Sequence, residues 1–102
     1  MHAVHITFHS AIPGDELIAP FTDFARALSD VPGFVSKAWL NAGDRLGGFY
    51  VFSDEAAAEA YLASPMVADL QATDGFSDFQ VSMFAVLDDL SALTGVSAPA
   101  SA

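Results

Sequence analysis

Residues 3–9, AVHITFH, set Val4, Ile6 and Phe8 against His5, Thr7 and His9 in strict alternation, the period-two pattern of a half-buried strand. Past the turn residues Pro13 and Gly14 the apolar spacing lengthens. Leu17, Phe21, Phe24, Leu28 and Val31 recur at steps of four, three, four and three, which gathers them on one stripe of a helix. Asp15 and Glu16 suit the positive end of that helix. Pro20 conflicts with a regular helix running from Asp15, because a proline beyond the first turn removes a hydrogen bond and clashes with the preceding turn. The regular helix is therefore expected to begin later, or to bend there.

Pro32-Gly33 punctuates the helix end. Residues 34–40, FVSKAWL, read as a second strand with Val35, Lys37 and Trp39 on one face, and residues 47–53, GGFYVFS, as a third, joined to it in a hairpin. Ser53 or Asp54 can cap a following helix that aligns Ala57, Ala60, Tyr61 and Ser64. Ser64-Pro65 restarts it, serine suiting the N-cap and proline the first helical position. After the turn Asp74-Gly75, residues 76–87 read as a fourth strand, with Phe79, Val81 and Met83 on one face and Gln80, Ser82, Phe84 and Val86 on the other. Apolar groups on both sides fit a strand covered twice, by helices and by a partner sheet. Residues 88–94 suggest a last helical turn, and residues 96–102 a disordered tail.

The order βαββαβ is the split βαβ arrangement, a ferredoxin-like α+β fold. Right-handed crossovers then give a four-stranded antiparallel sheet with helices on one face, in a single domain over residues 1–95. Its other face would expose more apolar surface than a monomer tolerates, so a homodimer is expected.

Composition narrows the function. The 102 residues are 53% hydrophobic with nine Phe, more than one thin two-layer domain can hide. Thirteen acidic against three basic residues leave no basic stripe, so neither nucleic acid nor an anionic membrane is an expected partner. No apolar run is long enough to span a bilayer and no leader-like start is evident, so a cytoplasmic location is expected. The chain has no cysteine, which excludes thiolate nucleophiles and Cys-ligated metals.

All three histidines, His2, His5 and His9, lie at or near the first strand. His5 and His9 face the same way but stand roughly 13 Å apart along it, too far to share an ion without a bulge, so no metal is expected. His5 within a pocket has the chemistry of a general base; the plainer alternative is an imidazole satisfied by backbone or by a dimer partner. Lys37 can hold an anionic substrate oxygen or pair with an acid, or it can be an edge-strand lysine that deters aggregation. Trp39, Phe49, Tyr50, Phe52 and Met83 can wall an aromatic-binding cavity, or simply form core. Gly47-Gly48 inside a strand marks a bulge or the close approach of another group.

The segments PGFVSKAWLN (32–41) and GGFYVFSDEAAAEAYL (47–62) resemble the signature region of the YdhR-like monooxygenase family, with weaker similarity over roughly residues 3 to 93. The resemblance implies the dimeric α/β-barrel fold, with a cavity between sheet and helices. It also implies a cofactor-independent monooxygenase, with molecular oxygen as co-substrate, acting on a polycyclic aromatic, hydroquinone-like or polyketide-type molecule. Better-understood relatives in the superfamily carry an Asn on the third strand and a Trp soon after; GGFYVFS has neither. The residues expected to act are His5 as base, Lys37 as anion partner, Trp39 as wall and Tyr50 as hydrogen-bond donor, with Thr7, His9, Phe24, Phe52, Tyr61 and Met83 lining the pocket. A non-redox cyclase or isomerase on the same scaffold and a non-catalytic binding or stress-response module are the alternatives. Haem degradation is a fainter one, because an axial histidine would be expected on a helix and no helix here contains one.

Overall fold

The computed structural model describes residues 1–97. Its elements are β1 (His2–Ser10), a short 3-10 turn (Gly14–Glu16), α1 (Ile18–Leu28), β2 (Phe34–Ala42), β3 (Arg45–Phe52), α2 (Glu55–Leu62), α3 (Pro65–Gln71), β4 (Phe76–Ala85) and α4 (Asp88–Leu93). The strands form one antiparallel sheet in the order β2-β3-β1-β4, the ferredoxin-like topology expected from the element order. Of the tail expected at 96–102, residues 98–102 lie outside the described residues. No helix among the described residues is long and apolar enough to cross a membrane.

Pro20 is accommodated because α1 starts at Ile18, which puts the proline in the first turn, where its missing N–H removes no helical hydrogen bond. Asp54 caps α2 by accepting the Ala57 N–H at 2.8 Å, and Pro65 opens α3 after Ser64. Val4, Ile6 and Phe8 of β1, Tyr50 and Phe52 of β3, Leu28 of α1, Ala58 and Tyr61 of α2 and Val67 of α3 form one buried cluster. The helices therefore cover the β1 face that alternation assigned to the core.

Two irregularities tune the sheet. Val35 is an extra residue where β2 bulges against β3 between Phe34 and Ser36, so it leaves the alternation that Lys37 and Trp39 continue. The β1–β4 register shifts between Thr7 and His9, and nearby Asp78 takes a positive φ of 54°. Arg45 holds that bend: its guanidinium donates to the Asp78 carboxylate at 2.9 Å, the Asp78 carbonyl at 3.0 Å and the Thr7 hydroxyl at 3.1 Å.

The opposite face of the sheet carries His5, Phe49 and Phe84, with Ala3 and Val51 buried at one end of it. Beside it, Leu87, Leu90 and Leu93 border a groove with Ala3, Phe49 and Phe84. The N-terminal amine anchors this end through the Asp88 carboxylate at 2.8 and 2.9 Å.

Candidate active site

The β2–β3 hairpin pairs Lys37 with Tyr50 and Trp39 with Gly48. Directly opposed residues of an antiparallel pair project to the same face. Tyr50 and Gly48 in turn pair with Val4 and Ile6 of β1, so all four point toward the helices. There they meet the apolar stripe of α1, and between sheet and helix lies a cavity of about 280 Å³. Ile6, Phe8, Leu17, Phe21, Phe24 and Leu70 supply most of its apolar lining; Lys37, Asn41 and Tyr50 are its polar side chains. This is the composition of a small-molecule site, mostly apolar with a few placed polar groups. Trp39 bridges strand and helix, its ring 5.2 Å from Phe21 and edge-on to Phe24 at 6.1 Å.

Lys37 dominates the electrostatics. Its ammonium nitrogen lies 3.3 Å from the Trp39 ring centre, 4.4 Å from that of Tyr50 and 5.0 Å from that of Phe24. None of the three ion pairs among the described residues includes it. Desolvation lowers its pKa from 10.5 to about 7, while the surrounding ring faces favour the ammonium and oppose the shift. Amine and ammonium are thus both accessible near neutrality. An edge-strand lysine directed at solvent is not what β2 presents.

Gly48 explains how the lysine fits. A Cβ on Gly48 would stand 2.4 Å from Lys37 Cε and 3.0 Å from a Tyr50 ring carbon, so only glycine leaves the aliphatic end of Lys37 its present path. At Gly47 a Cβ would fall 2.2 Å from the Ile6 carbonyl oxygen and 3.0 Å from Thr7 Cα. The close approach expected of the glycine pair is therefore real, to a side chain at one residue and to backbone at the next.

Behind the cavity, Tyr50 and Tyr61 pack at 5.1 Å between ring centres. Burial, and then the neighbouring Tyr61, raises the Tyr50 phenol far above its ordinary pKa; burial raises Tyr61 also, with the Tyr50 hydroxyl acting in the opposite direction. Both stay protonated. The Tyr61 hydroxyl is buried without a hydrogen-bond partner of good geometry.

Of the residues picked from sequence, the cavity brings together Lys37, Trp39, Tyr50 and Phe24. His5, Thr7 and His9 do not join them. The β1 alternation that buries Val4, Ile6 and Phe8 directs these three to the opposite face, where His5 lies 6.2 Å from Phe49 and His9 Nε2 contacts the Asp44 carboxylate at 2.9 Å. The expectation of His5 as the base of this pocket is corrected on that ground. Phe52, Tyr61 and Met83 belong to the packed core or its margin and do not line the cavity. Leu17, Phe21, Ile6 and Phe8 were not singled out as site residues, although the α1 stripe and β1 alternation already set them on the same side as the hairpin aromatics.

Solved structures share this architecture. SnoaB, a cofactor-independent oxygenase from Streptomyces nogalater, superposes with a TM-score of 0.68 at 20% identity, covering 85% of this chain and 93% of its own. NE2512 from Nitrosomonas europaea, a protein of unknown function, gives a TM-score of 0.70 at 22% identity over 98% of this chain and 95% of its own. The haem-degrader MhuD from Mycobacterium tuberculosis, solved with two haems in its active site, gives 0.60 at 21% over 83% and 95%. These likenesses establish the fold. No curated protein matches the sequence. Residues 3–97 match the family model described as "Putative mono-oxygenase ydhR", a span holding the sheet, the helices and every residue of the cavity, and the chain belongs to that family.

Proposed function

We propose that the protein is a monooxygenase that binds an electron-rich aromatic substrate, of the anthrone or hydroquinone kind, in the cavity between α1 and the β2–β3 hairpin. The observation that carries this reading is Lys37, an amine with a pKa of about 7, held among Trp39, Tyr50 and Phe24 in a mostly apolar cavity. A base of that strength matches its operating pH, where general-base catalysis is most effective.

In this mechanism the flat substrate lies against the aromatic walls. Neutral Lys37 takes its acidic phenolic or benzylic proton, and the resulting ammonium stays beside the anion it has formed. The anion passes one electron to oxygen, and recombination of the radical pair makes a carbon–oxygen bond. Lys37 returns the proton to the peroxide. With an anthrone, loss of water then leaves a ketone, so that the substrate methylene and one dioxygen become a carbonyl and one water, with all reducing equivalents drawn from the substrate. The chemistry asks for no resident cofactor, in keeping with the cofactor-independent SnoaB. Haem, which MhuD binds, finds a poor donor set here: no histidine lines the cavity, and the buried Tyr50 phenol resists the ionisation that iron ligation requires.

The same proposal includes a homodimer formed through the open sheet face. Phe49 and Phe84 are 40% and 52% exposed there, and Leu87 and Leu90 are 68% and 64% exposed beside them. A contiguous apolar surface of that kind supports burial against a second copy.

Oxygen uptake and product mass, measured with a panel of anthrones and hydroquinones on wild type, Lys37→Met and Trp39→Phe, test the function. The expected anthrone product gains one oxygen and loses two hydrogens, one dioxygen is consumed per product, and Lys37→Met abolishes turnover. A product rearranged without oxygen gain would instead make the protein a cyclase or isomerase, and binding without any product would make it a binding module.

A further inference from the structure

We propose that Lys37 is also a nucleophile, which captures aldehyde- or ketone-bearing aromatic ligands as a Schiff base inside the cavity. The inference rests on the same cavity as the proposed oxygenation but asks a different reaction of the amine. Three observations carry it. The amine lines the cavity and is held by no carboxylate among the described residues, so its lone pair is not committed elsewhere. Desolvation leaves about half of it neutral at pH 7, against less than about 0.1% for an ordinary lysine with a pKa near 10.4. The rings of Trp39, Tyr50 and Phe24 around it are positioned to hold the iminium cation, as aromatic faces hold other organic cations. The only other titratable side chain lining the cavity is Tyr50, which stays protonated.

The step balances without a co-reactant. The neutral amine adds to the carbonyl carbon and one N–H proton passes to the oxygen to give a carbinolamine. The second N–H proton then joins that oxygen as the C–O bond breaks, water leaves and the C=N bond forms, and a proton from solvent converts the imine to the iminium. An apolar cavity disfavours the returning water and so the hydrolysis of the imine.

Lys37 is the only lysine in the sequence, so an adduct can form only there or at the N-terminal amine, which is tied to Asp88. The test incubates the full chain at pH 7 with 2-hydroxy-1-naphthaldehyde and cyanoborohydride, followed by intact mass and peptide mapping. The expected result is one saturable adduct on Lys37, formed on the order of 100-fold faster than on free Nα-acetyl-lysine. That figure takes the roughly 1,000-fold larger neutral fraction and discounts it for the weaker nucleophilicity of a weaker base. 2-Naphthol should compete, and quenching of Trp39, the sole tryptophan, should report its binding. Lys37→Arg should lose the adduct while keeping a cooperative thermal unfolding transition. Adducts confined to Met1, or a non-saturable reaction at Lys37 insensitive to naphthol, would overturn the proposal. Naphthol quenching in that case would leave the cavity intact as an aromatic site, so loss of the imine chemistry and loss of the oxygenase reading are separately visible.

Discussion

Replacing the two adjacent glycines of β3 by alanine should separate fold from function. In Gly48→Ala the new Cβ meets Lys37 Cε at 2.4 Å, the far part of a flexible side chain that can rotate away, and a Tyr50 ring carbon at 3.0 Å, which has to give by only a few tenths of an ångström. Alanine lowers unfolded-chain entropy by about 0.4–1 kcal/mol, and release of the buried amine to water offsets the packing it loses, so stability should change by no more than about 1 kcal/mol. The chemical change is large: once expelled from its cage, Lys37 should titrate near 10.4, as an ordinary lysine does, instead of about 7. In Gly47→Ala the Cβ meets the Ile6 carbonyl at 2.2 Å and Thr7 Cα at 3.0 Å, and neither can move without displacing β1. Overpacking of this kind costs about 1–3 kcal/mol, or a melting temperature lowered by about 4–8 °C for each kcal/mol in a domain of this size. Thermal unfolding by circular dichroism gives the stabilities, and a 13C titration of the single lysine gives the pKa. A Gly48→Ala protein whose lysine still titrates near 7, or that proves the more destabilised of the two, would refute this role for Gly48.

Other consequences follow from the same geometry. Because Lys37 has a lower pKa folded than unfolded, the unfolded chain binds more protons between pH 7 and about 10.5, so stability should rise with pH across that window; above about 10 the buried phenols of Tyr50 and Tyr61, raised in the folded state, should reverse the trend. Denaturant melts from pH 6 to 11 should show this rise in wild type and a flat line up to pH 10 in Lys37→Met. Tyr61→Phe removes a buried hydroxyl with no partner of good geometry and should leave stability unchanged or raise it by up to about 1 kcal/mol; a loss above 1 kcal/mol in chemical denaturation would show that the hydroxyl has a partner after all. Phe84→Glu, on the open face, should convert a dimer into a folded monomer in sedimentation equilibrium, and an unchanged mass would move the subunit contact elsewhere.

Most of the fold could be read from periodicity because the two-residue alternation of β1 and the three-and-four spacing of α1 are enforced by burial of one face each. Local chemistry then set the joints, as with Asp54 at the α2 cap and Pro65 opening α3. The site was harder. Lys37, Trp39 and Tyr50 are visible as odd residues in apolar strands, but their shared face depends on the register of the β2–β3 hairpin, which alternation alone leaves open. The same ambiguity allowed His5 to be placed with them, since both faces of β1 carry residues suited to a pocket. Val35 left its expected face because one bulge residue shifts the count by one, and nothing in FVSKAWL marks the bulge. Tyr61 was expected to line the pocket, whereas its ring lies in the core, 5.1 Å from that of Tyr50.

The pH dependence of kcat/KM for oxygen uptake with an anthrone substrate is the direct measure of Lys37 as the proton acceptor within this cavity. Wild type should gain activity as pH rises through about 7 and then level off, and Lys37→Met should remain inactive at every pH. Undiminished uptake by Lys37→Met, or a wild-type profile that does not respond between pH 6 and 8, would contradict that role.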